Sequence, residues 1–430
     1  MSITQSSSRT APIPARPSVR EHGARRARLG LVLLLGSLSA FGALTIDMYV
    51  PAMPSMAQQL ATDASAVQAT LTVFVIGLAL GQVLAGPLSD AWGRRAPLLI
   101  GLGIYVIGSL GCALAPSVEW LIAARLIQSL GAATGTVLAR AIARDLHSGT
   151  AMTRFLSTLM LVNGLAPVLA PVLGAQLLTW ASWRAVFGVL VGIGTLLLLA
   201  VIAFLPESLP AHRRRPARTD AVLSGFGRLL ADADLRRHVL AAALMFSAVF
   251  VYISGSAFVL QDLHGLSALE FGLVFGANGL GIVIAGWVNG RIVGRWASEA
   301  TLLRGSLLVA AIGGLAVTAC AFLRAPLPLL LVALFVTVSM LGPVLADATS
   351  LALAEHGDSA GTASSLQGML QFLLAALAAW ITSQLGTGPG IMGAAMTACV
   401  LLALLPLLVA DLRRRRRCGP GSADARCRRG

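Results

Sequence analysis

The chain has 430 residues, of which 57% are hydrophobic and only 12% charged. A soluble core cannot bury that much apolar surface, and uncharged runs of about 20 residues recur, each long enough to cross a roughly 30 Å hydrocarbon layer, so a water-soluble domain is excluded. The net charge is +14 and all 32 basic residues are arginine, which excludes a lysine-bearing phosphate loop and lysine Schiff-base chemistry.

Residues 1–28 are rich in Ser, Pro and Arg and read as a disordered basic segment. A targeting signal built on the first apolar run is the alternative. That run continues through Asp47 to a Pro-containing end, which favours a retained first helix. Polar breaks predict twelve spans, at 29–52, 66–88, 96–115, 119–141, 153–178 and 184–205, then 238–260, 269–292, 302–323, 327–353, 363–385 and 389–410. The expected fold is an all-α membrane protein with twelve transmembrane helices in two pseudo-symmetric six-helix bundles, 29–205 and 238–410. A linker, 206–237, joins them, and an Arg-rich tail, 411–430, follows. All arginines except Arg125, Arg184 and Arg324 fall on one side of this arrangement, which puts both termini and the linker in the cytoplasm. The excess charge then reads as a topology signal with attraction to anionic lipid. Nucleic-acid binding is the poorer reading, and a monomer is expected.

In the first span, "SAFGALTIDMYVPAMP" carries one ionisable side chain, Asp47. A carboxylate inside such a segment costs about 2.5 to 3.5 kcal/mol on insertion scales, so a compensating role is expected. After the second span comes "GPLSDAWGRRAP", where Gly86 and Gly93 permit a tight turn and Asp90, Arg94 and Arg95 can lock a neighbouring helix end. The alternative is a solvated loop that obeys the positive-inside rule. A weak echo, "GWVNGRIVGRW", follows about 200 residues later. Repeats of six helices with a site between them are a common transporter plan.

The fourth span holds "RLIQSLGAATG", with Arg125 and Gln128 on one face. Counted from the outer helix ends, Asp47 and Arg125 lie at matching depth, about 6 to 10 Å down. They are expected to pair or to share a water network as the proton-coupling groups; a fixed structural ion pair is the alternative. In the fifth span, "NGLAPVLAPVLGAQLL" sets Gly164, Pro167, Pro171 and Gly174 along one face. Small residues and kinks there let helices pack closely and bend. Other intramembrane polar residues, Gln82, Asn163, Tyr252, Asn278, Gln367 and Gln371, either line a cavity or bond between helices.

The spacing G-x-x-x-D-x-x-G-R-R in its loop resembles the signature of the major facilitator superfamily. The fourth-span stretch resembles that superfamily's fourth-helix motif, with Ser129 where many members have glycine. The fifth resembles its antiporter motif. Together with "TIDMYVPAMP", "LPES", "YISGSAFV" and "AGTASSLQG", these look like the bicyclomycin/chloramphenicol-resistance (Bcr/CflA) subfamily of drug/proton antiporters. The resemblance implies the facilitator fold, proton-driven efflux of small drugs across the bacterial cytoplasmic membrane, and Asp47 and Arg125 as coupling groups. One departure is Asp347 in "LADATSLAL", where the family usually shows asparagine. It either adds a proton site, alters the charge preference for cargo, or faces the cytoplasm near the helix end.

No cofactor is expected. The five cysteines lack metal-type spacing, and no two-His zinc motif or nucleophile elbow occurs. An enzyme or a sensor is therefore the weakest reading. Transport of an endogenous metabolite, outward or inward, is the closer alternative to drug efflux.

Overall fold

The computed structural model describes residues 19–146, 149–214, 226–354, 360–386 and 388–417. The first long helices are α1 (Val19–Asp47), α2 (Ala64–Trp92), α3 (Arg95–Ala113), α4 (Val118–Leu146), α5 (Gly149–Leu178) and α6 (Trp183–Phe204). They are followed by α7 (Ala233–Ala257), α8 (Ala268–Ile292), α9 (Glu299–Phe322), α10 (Leu327–Leu353), α11 (Ala360–Leu385) and α12 (Pro389–Arg417). Among the described residues, eleven helices are long and apolar enough to cross a membrane, and α5 adds a shorter apolar stretch, Val162–Leu178. Leu196, Leu199, Ile312, Leu315 and Val332 are exposed on outer faces, where lipid rather than water is the solvent. The chain is an all-α, multi-pass membrane protein.

Helix pairing repeats along the chain. In the first half α1 packs on α4 and α5, α2 on α4, and α3 on α4 and α6; six helices later α7 packs on α10 and α11, α8 on α10, and α9 on α10 and α12. The two sets meet chiefly through α2 with α11 and α5 with α8. Small residues permit this closeness: a Cβ added at Gly108 of α3 or Gly131 of α4 would overlap the facing main chain.

Several boundaries differ from those expected. Residues 19–28, expected to be disordered, are the first turns of α1, in keeping with the good helix propensity of Ala and Arg. The first span does not run unbroken to 52. Helix α1 stops at Asp47, a 3-10 turn covers Val50–Ala52, and a short helix follows at Met53–Gln59. Pro51 and Pro54 lack the N–H that a continuing helix needs. Helix α7 passes into a π turn, Phe258–Leu263, and α10 is interrupted at Met340. Helix α12 runs on into the Arg-rich tail as far as Arg417, where cations suit a helix C-terminus.

The described part of the linker is folded. Phe226, Leu229 and Leu235 pack with Val239, Ala352, Ala363 and Leu366 in a small separate core. Asp232 caps α7, its Oδ1 accepting from the N–H groups of Asp234 and Leu235 at 2.8 and 3.3 Å.

Candidate functional site

The end of α1 divides its side chains between two environments. Thr45 shares a 2.8 Å hydrogen bond with the Tyr105 hydroxyl of α3, and Tyr49 bonds Thr70 of α2. Asp47 lies two residues from each, about 200° around the helix from Thr45. Its carboxyl group therefore turns away from α2 and α3 and lines a central cavity of about 260 Å³. It is 5% exposed and forms no hydrogen bond or ion pair with a described residue.

Arg125 is fully buried on the other side of α1. Its guanidinium lies over the Phe74 ring at 4.2 Å and the Tyr49 ring at 4.5 Å, with Phe187 at 5.7 Å. Its Nη1 donates to Gln128 Oε1 at 2.8 Å, and Gln128 Nε2 donates to Ser109 Oγ at 2.8 Å. Ser109 in turn faces Tyr105. Among the described residues Nε and Nη2 have no hydrogen-bond acceptor, so the ring faces supply the compensation, which for a desolvated cation–π contact reaches about 2 kcal/mol. The expected pairing of Asp47 with Arg125 is not formed. Helical rise put them at one depth, but Tyr49 and the body of α1 stand between the guanidinium and the carboxylate.

The central cavity is mostly apolar, with a cluster of aromatic rings. Phe246 and Phe250 of α7, Phe275 of α8 and Phe372 of α11 form its wall in the second half of the chain. Its polar points are Asp47, Gln82, Thr136, Ser39 with Asn163, and Tyr252 with Asn278. Asn163 Nδ2 donates to Ser39 Oγ at 2.8 Å, and Asn278 Nδ2 donates to the Tyr252 hydroxyl at 2.8 Å. Tyr252 and Asp47 line the same cavity. Thus Asn163, Tyr252 and Asn278 are in the lining, while Gln128 belongs to the Arg125 chain and Gln367 bonds Thr349. The phenylalanines were missed in the sequence; the four-residue spacing of Phe246 and Phe250 was the available signal.

Asp347 is 2% exposed and faces neither the cavity nor solvent. Asn289 Nδ2 of α8 donates to its Oδ1 at 2.8 Å, and its Oδ2 has no partner among the described residues. The expected stripe on α5 is a contact surface. Gly164 lies against Val283 of α8, the carbonyls of Pro167 and Pro171 meet Gly279 and Gly272, and a Cβ at Gly174 would strike the Met48 carbonyl. At the same end Gln261 Nε2 donates to the Pro51 carbonyl at 3.1 Å, so the two halves are joined beyond Asp47.

At the opposite end the α2–α3 loop is held from three directions. Arg94 Nη1 donates to Asp90 Oδ1 and Ser89 Oγ, both at 2.6 Å, and its Nε to Asp145 Oδ2 of α4 at 2.9 Å. Glu207, after α6, accepts from the N–H groups of Arg94 at 2.8 Å and Arg95 at 3.2 Å. Gly93 has φ +90°, and a Cβ there would strike the Glu207 carboxylate, so glycine is needed for conformation and for space. Gly86 has open space around it. Partial burial pushes the Glu207 carboxyl up, but the N–H groups of Leu209, Arg94 and Arg95 and the charge of Arg214 outweigh it and hold the group below its ordinary range.

The sequence profile of the Major Facilitator Superfamily matches residues 33–379. An uncharacterized MFS-type transporter, YdgK of Bacillus subtilis (strain 168), is 39% identical over 81% of this chain and 87% of its own length. A bicyclomycin resistance protein homolog of Haemophilus influenzae is 30% identical over 87% of this chain and 94% of its own. Among solved structures, an inward-facing bacterial homolog of the human lysosomal transporter Spinster superposes with a TM-score of 0.71 at 17% identity, covering 92% of this chain and 99% of that one. The chain belongs to the Major Facilitator Superfamily and is a transporter rather than an enzyme.

Proposed function

We infer that the chain exports small, largely apolar molecules in exchange for protons, by alternating access to the central cavity between two six-helix bundles. The observation that carries this reading is Asp47, a buried carboxyl group that lines a largely apolar cavity and has no hydrogen bond or ion pair among the described residues. An ionised carboxylate cannot stay unpartnered there without a cost of several kcal/mol. It must hold a proton or face cargo, and that choice couples the two. The repeated helix pairing supports the two-bundle plan. The positive-inside rule sets both termini and the Asp90 end in the cytoplasm, against anionic lipid. The closed contacts beyond Asp47 then make this an inward-facing state.

Arg125 takes part through its rings and the Gln128–Ser109 chain, which fix the end of α1. The Asp90–Arg94–Asp145 cluster serves as the latch of the conformational change, and the α5 face as the surface on which the halves pivot. Asp347 has a structural role, tying α10 to α8. A proton moving inward supplies about 2.3 kcal/mol per 100 mV, enough for a roughly fifty-fold gradient of neutral cargo.

The motifs and the name of the Haemophilus relative support membership of the bicyclomycin/chloramphenicol-resistance subfamily, with drugs of that size as cargo. Inverted membrane vesicles, offered a panel of small antibiotics including chloramphenicol, test this reading. Accumulation driven by the proton gradient and abolished by a protonophore is expected. Accumulation indifferent to the protonophore, or none across the panel, would contradict it.

A further inference from the structure

The end of the molecule that holds Asp90 contains a second chamber, of about 350 Å³, and its lining differs from that of the first. Arg140 and Arg144 of α4 reach into it, as do Asp90, Arg94 and Asp145. Both acids are paired with Arg94, at 2.6 and 2.9 Å. Arg140 donates only to the Thr136 carbonyl of its own helix, at 3.3 Å, and among the described residues neither Arg140 nor Arg144 forms an ion pair. The two lie close enough to repel, and like charges at i,i+4 destabilise a helix. Thr362, Ser364 and Ser365, at the start of α11, line the same chamber. They add hydroxyl groups at a helix end that favours negative charge.

We propose that Arg140 and Arg144 bind one anionic group, a carboxylate or phosphate, carried by an amphipathic solute. This rests on the reading that the chain transports small molecules. Gln82 lines both chambers, so the apolar part of a solute held at the arginines extends past Gln82 toward the phenylalanines. Arg140 lies about 22 Å along α4 from the level of Arg125, which keeps the bound anion well apart from Asp47. The membrane potential itself favours outward movement of such a solute. A cation, in contrast, meets a chamber in which Arg94, Arg140 and Arg144 outnumber Asp90 and Asp145.

The test is binding of 4-phenylbutyrate and of its uncharged amide to the purified full-length protein in phosphatidylcholine nanodiscs, by calorimetry. The carboxylate is expected to bind at least tenfold more tightly, with a preference that shrinks at high salt. Arg140→Gln with Arg144→Gln is expected to erase the preference and to leave amide affinity unchanged, which also shows that the variant is folded. Arg140→Lys with Arg144→Lys is expected to keep it. Equal affinities in the wild type, or an undiminished preference in the Gln variant, would overturn the proposal. In nanodiscs containing phosphatidylglycerol the preference is expected to persist; its disappearance there would mean that a lipid headgroup fills the site and would overturn the solute assignment. Failure of proton-driven export with the preference intact would overturn the transport reading and leave the anion site standing.

Discussion

Thr45, Asp47 and Tyr49 are three alternate residues where α1 ends and the following turn begins, and the direction each faces decides its chemistry. Thr45 and Tyr49 join α1 to α2 and α3, while Asp47 is left to the cavity. Because Asp47 and Arg125 form no ion pair and share no bonded partner, their substitutions should act independently. Asp47→Asn removes an unpartnered buried carboxyl and is expected to raise the thermal midpoint. Arg125→Gln empties the space between Tyr49 and Phe74 and is expected to lower it. In a double-mutant cycle followed by unfolding in detergent, the coupling between them should stay within about 0.5 kcal/mol. A coupling of several times that size would mean a direct ion pair. The sequence made both residues conspicuous, since each is a charge in an apolar run. Helical rise also placed them at one level, but azimuth depends on where α2, α3 and α8 pack, and no local spacing records that.

The α2–α3 loop is the element whose motif was most legible, yet its partners were not. Gly86, Asp90, Gly93, Arg94 and Arg95 are contiguous in the chain, whereas Asp145 lies 51 residues from Arg94 and Glu207 lies 113 away. "LPES" was noticed only as a resemblance; the structure gives its Glu207 the task of capping the N-terminus of α3. A carboxyl held below its ordinary value of 4.5 contributes stability above that pH and loses it as pH falls through the lower folded value. The wild-type thermal midpoint should therefore exceed that of Glu207→Gln at pH 7, and the difference should shrink below about pH 4.5. A difference that stayed constant or grew with acid would show that the capping charge is unimportant. The helix boundaries failed for similar reasons: Pro51 and Pro54 marked the break after Asp47, but the apolar run around them masked it.

At the scale of the whole molecule, hydropathy and arginine placement were enough to read a multi-pass helical protein, and the echo between "GPLSDAWGRR" and "GWVNGRIVGRW" hinted at its repetition. Which helices join the halves was not legible. The α5–α8 contact depends on glycines meeting main chain across distant segments, such as Gly272 against Pro171 and Gly276 against Val168, and at the α2–α11 contact Gly368 meets the Gln82 side chain. Those contacts place one carboxyl group, contributed by the first half, against a wall of aromatic rings from the second, and the coupling account depends on that placement. Its most direct measurement is proton release from the purified protein on adding chloramphenicol, followed with a pH-indicator dye in weakly buffered detergent solution. Wild-type protein should release protons as cargo binds, whereas Asp47→Asn should bind cargo and release none. Release of equal size from the Asn variant would contradict the assignment of Asp47 as the group that proton and cargo share.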